Sequence, residues 1–181
     1  MNVYKITIVA MFASLTAIGA FIRIPIPYLP ITLQVFFVFL AGILIGPRLG
    51  ALSQIIYLIL GLVGLPIFAE GGGFGYIFHP SFGFILGFVV VSFFVGYFLD
   101  NHKKLSFTKT LLISLMGLII LYLIGVPYMN MILNNVMGVE VSMLQSFIAM
   151  ATLYLPGDIL KIIGVALIAP RIRDSIKTTM H

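Results

Sequence analysis

Charge is scarce in this chain, and its scarcity excludes most classes of protein. Of the 181 residues only ten are basic and five are acidic, so that 8% are charged while 61% are hydrophobic. A soluble domain has about 25% charged and about 45–50% apolar residues. With a mean hydropathy of +1.21, the composition excludes an ordinary water-soluble enzyme, a disordered protein and a nucleic-acid-binding protein. It predicts an integral membrane protein, whose apolar surface the lipid bilayer covers.

Cysteine is absent altogether, which excludes a disulfide framework, a thiolate metal site and a cysteine nucleophile. The sequence also lacks a Walker A phosphate loop, a His-Glu-x-x-His motif and any cluster with metal-ligand spacing. We therefore expect no metal, no bound cofactor and no ATP hydrolysis by the chain itself.

Six apolar intervals lie between the charged residues, and each predicts a spanning helix because about 20 apolar residues cross a bilayer. The predicted helices are 5–22, 32–46, 49–65, 81–99, 109–129 and 144–169. They form one integral membrane domain, 1–181, of the all-α class. The first interval is longer than the apolar part of a signal peptide and lacks its small-residue cleavage pattern, so we expect a retained helix.

The basic residues predict the orientation, because they are concentrated on the cytoplasmic side of membrane proteins. With the N-terminus inside, only Arg23 and Lys161 fall elsewhere. The others lie on the cytoplasmic side: Lys5, Arg48, Lys103, Lys104, Lys109, Arg171, Arg173 and Lys177. This bias places both termini in the cytoplasm, in agreement with an even number of spans in a cytoplasmic (inner) membrane.

The connections predicted on the outer side are long and irregular. Residues 23–30 contain three prolines, residues 66–80 contain four clustered glycines, and residues 130–141 form a third such stretch. Proline removes a backbone donor and restricts the residue before it, so the first connection cannot be helical throughout. Three elaborate loops on one side predict a binding site on that face.

Two opposite charges lie deep in the sixth predicted helix. Asp158 and Lys161 are three residues apart and therefore share one helical face, beside Tyr154 and just after Pro156 and Gly157. Ionisable residues inside a span are costly and therefore candidates for function. Two interpretations stay open: an ion pair that only offsets burial, or the polar floor of a ligand pocket.

Other polar candidates border the predicted outer face. Gly73 and Gly75 belong to a glycine segment that is not a phosphate loop, and it is either a hinge or a close approach to a ligand. Tyr76, His79 and Ser81 beside it add polar reach. Gln34, at the start of the second helix, either packs against another helix or contacts the ligand.

Small residues recur along the first helix. Ala13, Ala17 and Ala20 permit close approach of another helix, either of this chain or of another subunit. The pairs Gly83/Gly87 and Ser92/Gly96 repeat the pattern on the fourth helix, so the pattern alone is not specific.

Taken in order, several motifs resemble the BioY family, the biotin-specific substrate-binding (S) components of energy-coupling factor (ECF) transporters. They are PITLQ at 30–34, LAGILIGPRLGA at 40–51, GLVGLPIFA at 61–69 with the glycines that follow, Pro80 with Ser81, and YLPGDILK at 154–161. The resemblance runs from about residue 5 to about residue 170. It is the order and spacing of the motifs, rather than any one of them, that is specific.

The resemblance implies six helices with a biotin site near the extracellular face. It also implies partners, a membrane coupling (T) subunit and two cytoplasmic ABC ATPases, with Ala13 to Ala17 on the docking face. Asp158 and Lys161 match the family's ligand-binding pair. His79 stands where some members have asparagine, which is a departure from the family pattern.

Biotin fits these candidate residues chemically. Its ureido ring offers two N–H donors and a carbonyl, and its valerate ends in a carboxylate, so Asp158 and Lys161 have matching partners. Two alternatives remain: an S component for another small vitamin, or a small membrane enzyme that uses Glu70, His79 and Asp158 as acid–base groups.

Overall fold

The computed structural model describes residues 2–100 and 104–180, with side chains up to residue 173. Within these ranges the chain is helical apart from its connections. The helices are α1 Val3–Phe21, α2 Gln34–Ile45, α3 Pro47–Leu62, α4 Phe82–Asp100, α5 Phe107–Asn135, α6 Met143–Ala149 and α7 Leu155–Met180. A π-helical turn, Met150–Tyr154, joins α6 to α7 without a break, and a short 3-10 helix covers Phe74–Phe78. The predicted all-α class and six helical segments are therefore confirmed.

Several helix ends differ from the predicted ones for local reasons. The second helix begins at Gln34 rather than at residue 32, because Ile31–Thr32 forms a strand, β2, that pairs antiparallel with β1, Arg23–Ile24. The fifth runs through Pro127 to Asn135, so the irregular third connection is shorter than predicted. The sixth continues as α7 far beyond residue 169.

Four helical segments are long and apolar enough to cross a membrane: Val3–Phe21, Phe82–Asp100, Phe107–Asn135 and Met143–Arg173. The other two, α2 and α3, are shorter. At about 1.5 Å per residue, the 12 residues of α2 extend about 18 Å, against about 30 Å for a bilayer core. Ten of those residues are buried by neighbouring helices. The number of spans therefore stays a prediction.

The short helices α2 and α3 form a tight hairpin around one glycine. Gly46 has a φ of 83°, a left-handed conformation that glycine adopts without strain. Pro47 follows as the first residue of α3, where its missing N–H costs no helical hydrogen bond. The hairpin packs against α1 and α4, and α2 also packs against α7.

Close glycine contacts bring α2, α3 and α4 together. A Cβ atom on Gly50 would lie 2.8 Å from the Cα of Gly42, and one on Gly96 would lie 2.6 Å from the Gly42 carbonyl oxygen. Both distances are too short for a side chain, so glycine is required for this approach. The Ser92/Gly96 pattern of α4 therefore serves packing inside the chain.

Arg173 joins the end of α7 to the end of α4. It is 2% exposed and donates to the carbonyl oxygens of Leu99, at 2.7 Å, and Asp100, at 2.8 Å. These carbonyls have no helical partner at a helix C-terminus, where a cation is also favourable. Lys103 and the side chain of Lys177, which the charge pattern assigned to the same side, lie outside the described residues.

Candidate functional site

A cavity lies between the helices and the connections that precede α2 and α4. About 50 Å³ of it is open to the centre of a water molecule, and its lining of apolar side chains with a few polar groups is typical of small-molecule sites. Its wall is formed by Leu29, Pro30, Ile31, Thr32, Gln34, Val35, Ala69, Tyr76, Ser81, Phe84, Ile85, Phe88, Leu121, Tyr122, Met150, Tyr154, Asp158 and Lys161. Six of the predicted site residues meet there: Gln34, Tyr76, Ser81, Tyr154, Asp158 and Lys161.

Three side chains form a charged cluster in the cavity wall. Lys161 Nζ lies 2.6 Å from Asp158 Oδ1, and the hydroxyl of Tyr122 donates to Asp158 Oδ2 at 2.7 Å. Asp158 is only 6% exposed. The two charges pair with each other and also line the cavity, so the ligand-binding interpretation of the pair stays a prediction. Tyr122, which the sequence analysis missed, lies on α5, and the packing of α5 against α7 brings it to the pair.

A π-helical turn directs Tyr154 into the same cavity. Pro156 has no N–H, so the carbonyl of Thr152 lacks the donor that a regular α-helix would place four residues later. The N–H of Leu155 bonds to the carbonyl of Met150, five residues back, which is the π-helical pattern. Tyr154 then lies on the face of Asp158 and Lys161, and its hydroxyl donates to the carbonyl oxygen of Leu29 at 2.5 Å.

A second polar group in the cavity wall is centred on Gln34. Its Nε2 donates to the Tyr57 hydroxyl at 2.7 Å, and its Oε1 accepts from the Thr32 hydroxyl at 2.9 Å. The Tyr57 hydroxyl in turn donates to the carbonyl of Ile67 at 3.1 Å. Gln34 therefore ties α2 to α3 and to the following connection, and it also lines the cavity.

The connection between α3 and α4 adds a third polar group. The hydroxyl of Tyr76 lies 2.9 Å from Ser81 Oγ, and His79 contacts Ser81 through Nδ1 at 2.8 Å and Glu70 through Nε2 at 2.7 Å. Burial lowers the pKa of His79, an effect that the Glu70 carboxylate partly opposes. Burial also raises the pKa of Tyr76. Of these residues Tyr76 and Ser81 line the cavity, whereas His79 lies behind them.

Gly73 and Gly75 lie outside the cavity wall, contrary to the substrate-binding role predicted for them. Gly73 has a φ of 98°, which favours glycine, and its N–H donates to the Gly61 carbonyl at 2.7 Å. A Cβ atom on Gly75 would meet nothing within 4 Å. Gly73 thus belongs to the turn that precedes Tyr76, and a ligand contact of either glycine stays a prediction.

Side chains bind backbone carbonyls of the connections above the cavity. The guanidinium of Arg23 donates to the carbonyl of Ala69 and thereby joins the β1–β2 connection to the one before α4. The hydroxyl of Tyr128, on α5, donates to the carbonyl of Ile77 at 2.5 Å. With the bond from Tyr154 to Leu29, these contacts hold both connections over the cavity.

A second and more apolar cavity adjoins the first. About 500 Å³ of it is open to the centre of a water molecule, between residues 26–29, the end of α5 and α6. The two cavities share Leu29, Met150 and Tyr154 in their walls. The hydrogen bond between Tyr154 and Leu29 is thus part of the partition between them.

The alanines predicted to dock another subunit are largely internal. Ala13 is 5% exposed and Ala20 is fully buried, and α1 packs against α2 and α3 of the same chain. Ala17 is half-buried, with Ala10 and Ser14 exposed beside it. The small size of Ala13 and Ala20 therefore serves packing within this chain, and Ala17 alone remains near an outer face.

The described residues contain no group of three or more His, Asp or Glu side chains that could hold a metal ion. Cation and carboxylate at the cavity are instead neutralised by each other. The wall combines these polar groups with apolar side chains such as Phe84, Phe88 and Leu121, which suits a small organic ligand with both polar and apolar parts.

Comparison with known proteins gives concordant matches. The family model described as "BioY family" matches residues 1–178. A probable biotin transporter BioY of Lysinibacillus sphaericus is 41% identical, over 93% of this chain and 86% of that protein. A probable biotin transporter BioY of Pyrococcus horikoshii is 38% identical, over 97% of this chain and 99% of that protein.

The fold has a counterpart among solved structures. The crystal structure of the S-component for biotin from an ECF-type ABC transporter matches with a TM-score of 0.83 and 29% identity, over 95% of this chain and 92% of that one. Family, relatives and fold agree over nearly the full length, and they are transporter components rather than enzymes. The chain belongs to the BioY family.

Proposed function

We propose that this protein is the biotin-binding S component of an ECF-type vitamin transporter. One observation carries the proposal: a buried cluster of Asp158, Lys161 and Tyr122 lies in the wall of a cavity, in a chain similar to biotin transporters over almost its whole length. Biotin has a polar ureido ring and a carboxylate separated by apolar carbon atoms, and the wall has polar groups separated by aromatic and aliphatic side chains.

The proposed roles of the binding residues follow from their hydrogen-bonding capacity. Asp158 accepts N–H groups, and Lys161 has donors left for a carbonyl or carboxylate oxygen after its bond to Asp158. Gln34, Tyr76, Ser81 and Tyr154 complete the polar part of the proposed site. Residues His79, Gly73 and Gly75 act through the backbone and side chains that they place.

Calorimetry of the detergent-purified protein with biotin tests this function. Asp158→Asn and Lys161→Ala should each weaken binding by at least about 1–3 kcal/mol, because each leaves a buried partner without its bond. The matched controls Glu140→Gln and Lys104→Ala change exposed residues away from the cavity and should bind as the wild type does. Unchanged affinity in both cavity variants would remove these residues from the site, and tighter binding of thiamine or riboflavin would identify another vitamin as the ligand.

We also propose the assembly and topology expected for such a component: six spans in the cytoplasmic (inner) membrane of a prokaryote, both termini inside, a coupling T subunit and two ABC ATPases. The absence of an ATP-binding motif and the clustered basic residues support this arrangement. On α1 the exposed side of the proposed docking face is formed by Ala10, Ser14 and Ala17. Ala17→Trp should reduce copurification with a T subunit while biotin binding persists, and normal copurification would reject docking at Ala17.

A further inference from the structure

A chain of hydrogen bonds links an exposed carboxylate to the cavity wall. Glu70 Oε2 lies 2.7 Å from His79 Nε2, His79 Nδ1 lies 2.8 Å from Ser81 Oγ, and Ser81 Oγ lies 2.9 Å from the Tyr76 hydroxyl. The side chain of Glu70 is 40% exposed and that of His79 is 25% exposed, whereas Tyr76 and Ser81 line the cavity. The ring of His79 also stacks on that of Tyr76, with centroids 4.7 Å apart.

One backbone group determines which atoms donate and which accept along this chain of hydrogen bonds. The N–H of Ser81 donates to His79 Nδ1 at 3.2 Å, and a backbone N–H cannot act as an acceptor. Nδ1 therefore carries the lone pair of a neutral imidazole, and Nε2 carries the hydrogen that Glu70 accepts. Because the Ser81 hydroxyl then also donates to Nδ1, its own lone pairs accept the hydroxyl hydrogen of Tyr76.

The direction decides what Tyr76 offers to a ligand. Its hydrogen is committed to Ser81, so its oxygen faces the cavity only as an acceptor. An acceptor in a largely apolar wall selects for a ligand N–H group and against a ligand oxygen that needs a donor.

We propose that His79 is a positioning residue that does not touch the ligand but keeps Tyr76 as an acceptor for an N–H group of the ligand. The inference rests on the proposed function, because the ureido ring of biotin provides such N–H groups. In this role His79, which lies behind the cavity wall, affects ligand binding through Tyr76 rather than by contacting the ligand.

Protonation of His79 would reverse the donor and acceptor roles along the chain of hydrogen bonds. Among the described residues, Glu70 contacts Nε2 and Tyr76 stacks on the ring face. Arg23 binds the carbonyl of Ala69, next to Glu70 in the sequence. With both ring nitrogens protonated, Nδ1–H would face the Ser81 N–H, and the Ser81 hydroxyl would turn to donate to Tyr76. The Tyr76 hydrogen would then point toward the ligand, where it would meet a second donor.

The pH dependence of biotin binding by the full chain tests this inference. Because burial lowers the pKa of His79, the ring is neutral at neutral pH and gains its proton only in acid. Calorimetry should show wild-type affinity falling by about 10-fold between about pH 7.5 and about pH 5. His79→Asn, which does not titrate, should remove this dependence.

Glu70→Gln is the matched control for the direction of the shift. Its amide oxygen can still accept the Nε2 hydrogen, but the carboxylate that raises the pKa of His79 is gone. The loss of affinity should therefore remain and move to lower pH. An equal pH dependence in wild type and His79→Asn, or wild-type affinity that does not change with pH, would overturn the inference while leaving biotin binding established.

A second measurement needs no ligand. Nitrogen NMR of protein labelled at histidine, with His79→Asn to assign the signal, should show the Nε2–H tautomer at about pH 7.5. The Nδ1–H tautomer would overturn the inference. Absence of biotin binding at every pH would instead overturn the proposed function, and with it the ligand contact of Tyr76.

Discussion

Asp158 is the residue whose surroundings set the chemistry of the cavity. A buried carboxylate is costly unless it is paired and hydrogen-bonded, and here each oxygen has its own donor, Lys161 on one side and Tyr122 on the other. Both oxygens of the buried carboxylate therefore have hydrogen-bond donors within the cavity wall. A ligand that enters meets a carboxylate already fixed in position, and this preorganisation reduces the cost of binding.

Removal of the Tyr122 hydroxyl should weaken biotin binding. Tyr122→Phe keeps the ring but leaves Asp158 Oδ2 without its donor, in a residue that is 6% exposed. We expect a loss of about 1–3 kcal/mol in calorimetric binding free energy. Tyr97→Phe, at a tyrosine 56% exposed on α4, is the matched control and should bind normally. Equal affinities of the two variants would contradict the positioning of Asp158 by Tyr122.

At the scale of elements, the π-helical turn before α7 decides which residues share the cavity face. Tyr154, Asp158 and Lys161 follow at intervals of four and three residues, and the turn adjusts the rotation of the helix just before them. Such turns occur often at functional sites. Pro156, which lacks the N–H of a regular helix, lies two residues before Asp158. We therefore infer that the same proline produces the irregular turn and sets the position of Tyr154 relative to Asp158.

Restoring the missing N–H at position 156 should make this helix more regular and lower the affinity of the proposed site for biotin. Pro156→Ala allows a bond from residue 156 to the Thr152 carbonyl, which rotates Tyr154 relative to Asp158. We expect biotin affinity to fall by about 10-fold, about 1.4 kcal/mol, without loss of thermal stability. Pro170→Ala removes a proline of the same helix beyond the cavity and should retain affinity. Wild-type binding by Pro156→Ala would show that the turn is not needed.

At the scale of the whole molecule, the polar features separate toward two ends. The cavity lies under the connections before α2 and α4, where Arg23 and Tyr128 bind loop carbonyls. Arg173, by contrast, binds the carbonyls at the end of α4. The four long apolar segments between these ends expose large hydrophobic side chains such as Leu112, Ile119 and Leu123, as a surface that faces lipid requires.

The absence of cysteine makes the proposed topology directly measurable. Single cysteines placed by Glu140→Cys and Lys104→Cys occupy exposed positions in different connections. In intact cells a membrane-impermeant maleimide should label the first, and it should label the second only after permeabilisation, because basic connections stay inside. The natural protein, which has no thiol, is the control for background. Labelling of both cysteines from outside would contradict the six-span arrangement.

Much of the architecture could be predicted from composition and the spacing of charges. Charged residues are costly in lipid and therefore rare within spanning helices. The uncharged intervals between them predicted the six helical segments. The two charges that remained inside one interval, Asp158 and Lys161, predicted the pair. Helix ends were less predictable. Pro127 does not end α5, because neighbouring helices can satisfy the carbonyl that it frees.

The candidate site could be predicted only in part, and the missing part depended on contacts distant in the sequence. Tyr122 is one of eight tyrosines in the chain and has no local signal, since it lies 36 residues from Asp158. The recurrence of small residues at Ala13 and Ala20 predicted close approach of another helix. It did not show whether that helix belongs to the same chain. Gly73 has a left-handed conformation whereas Gly75 does not, and a backbone preference does not show what faces the cavity.

The sequence by itself determined that this protein folds in a lipid bilayer, its helical class and the pair of charges at Asp158 and Lys161, because these depend on the cost of placing charge in an apolar medium. Only the tertiary structure decided which side chains stand around that pair. Packing of α5 against α7 brought Tyr122 to Asp158, and the turn before α4 placed His79 behind Tyr76 and Ser81. Such placements depend on the rotation and register of whole helices, which no local run of residues specifies.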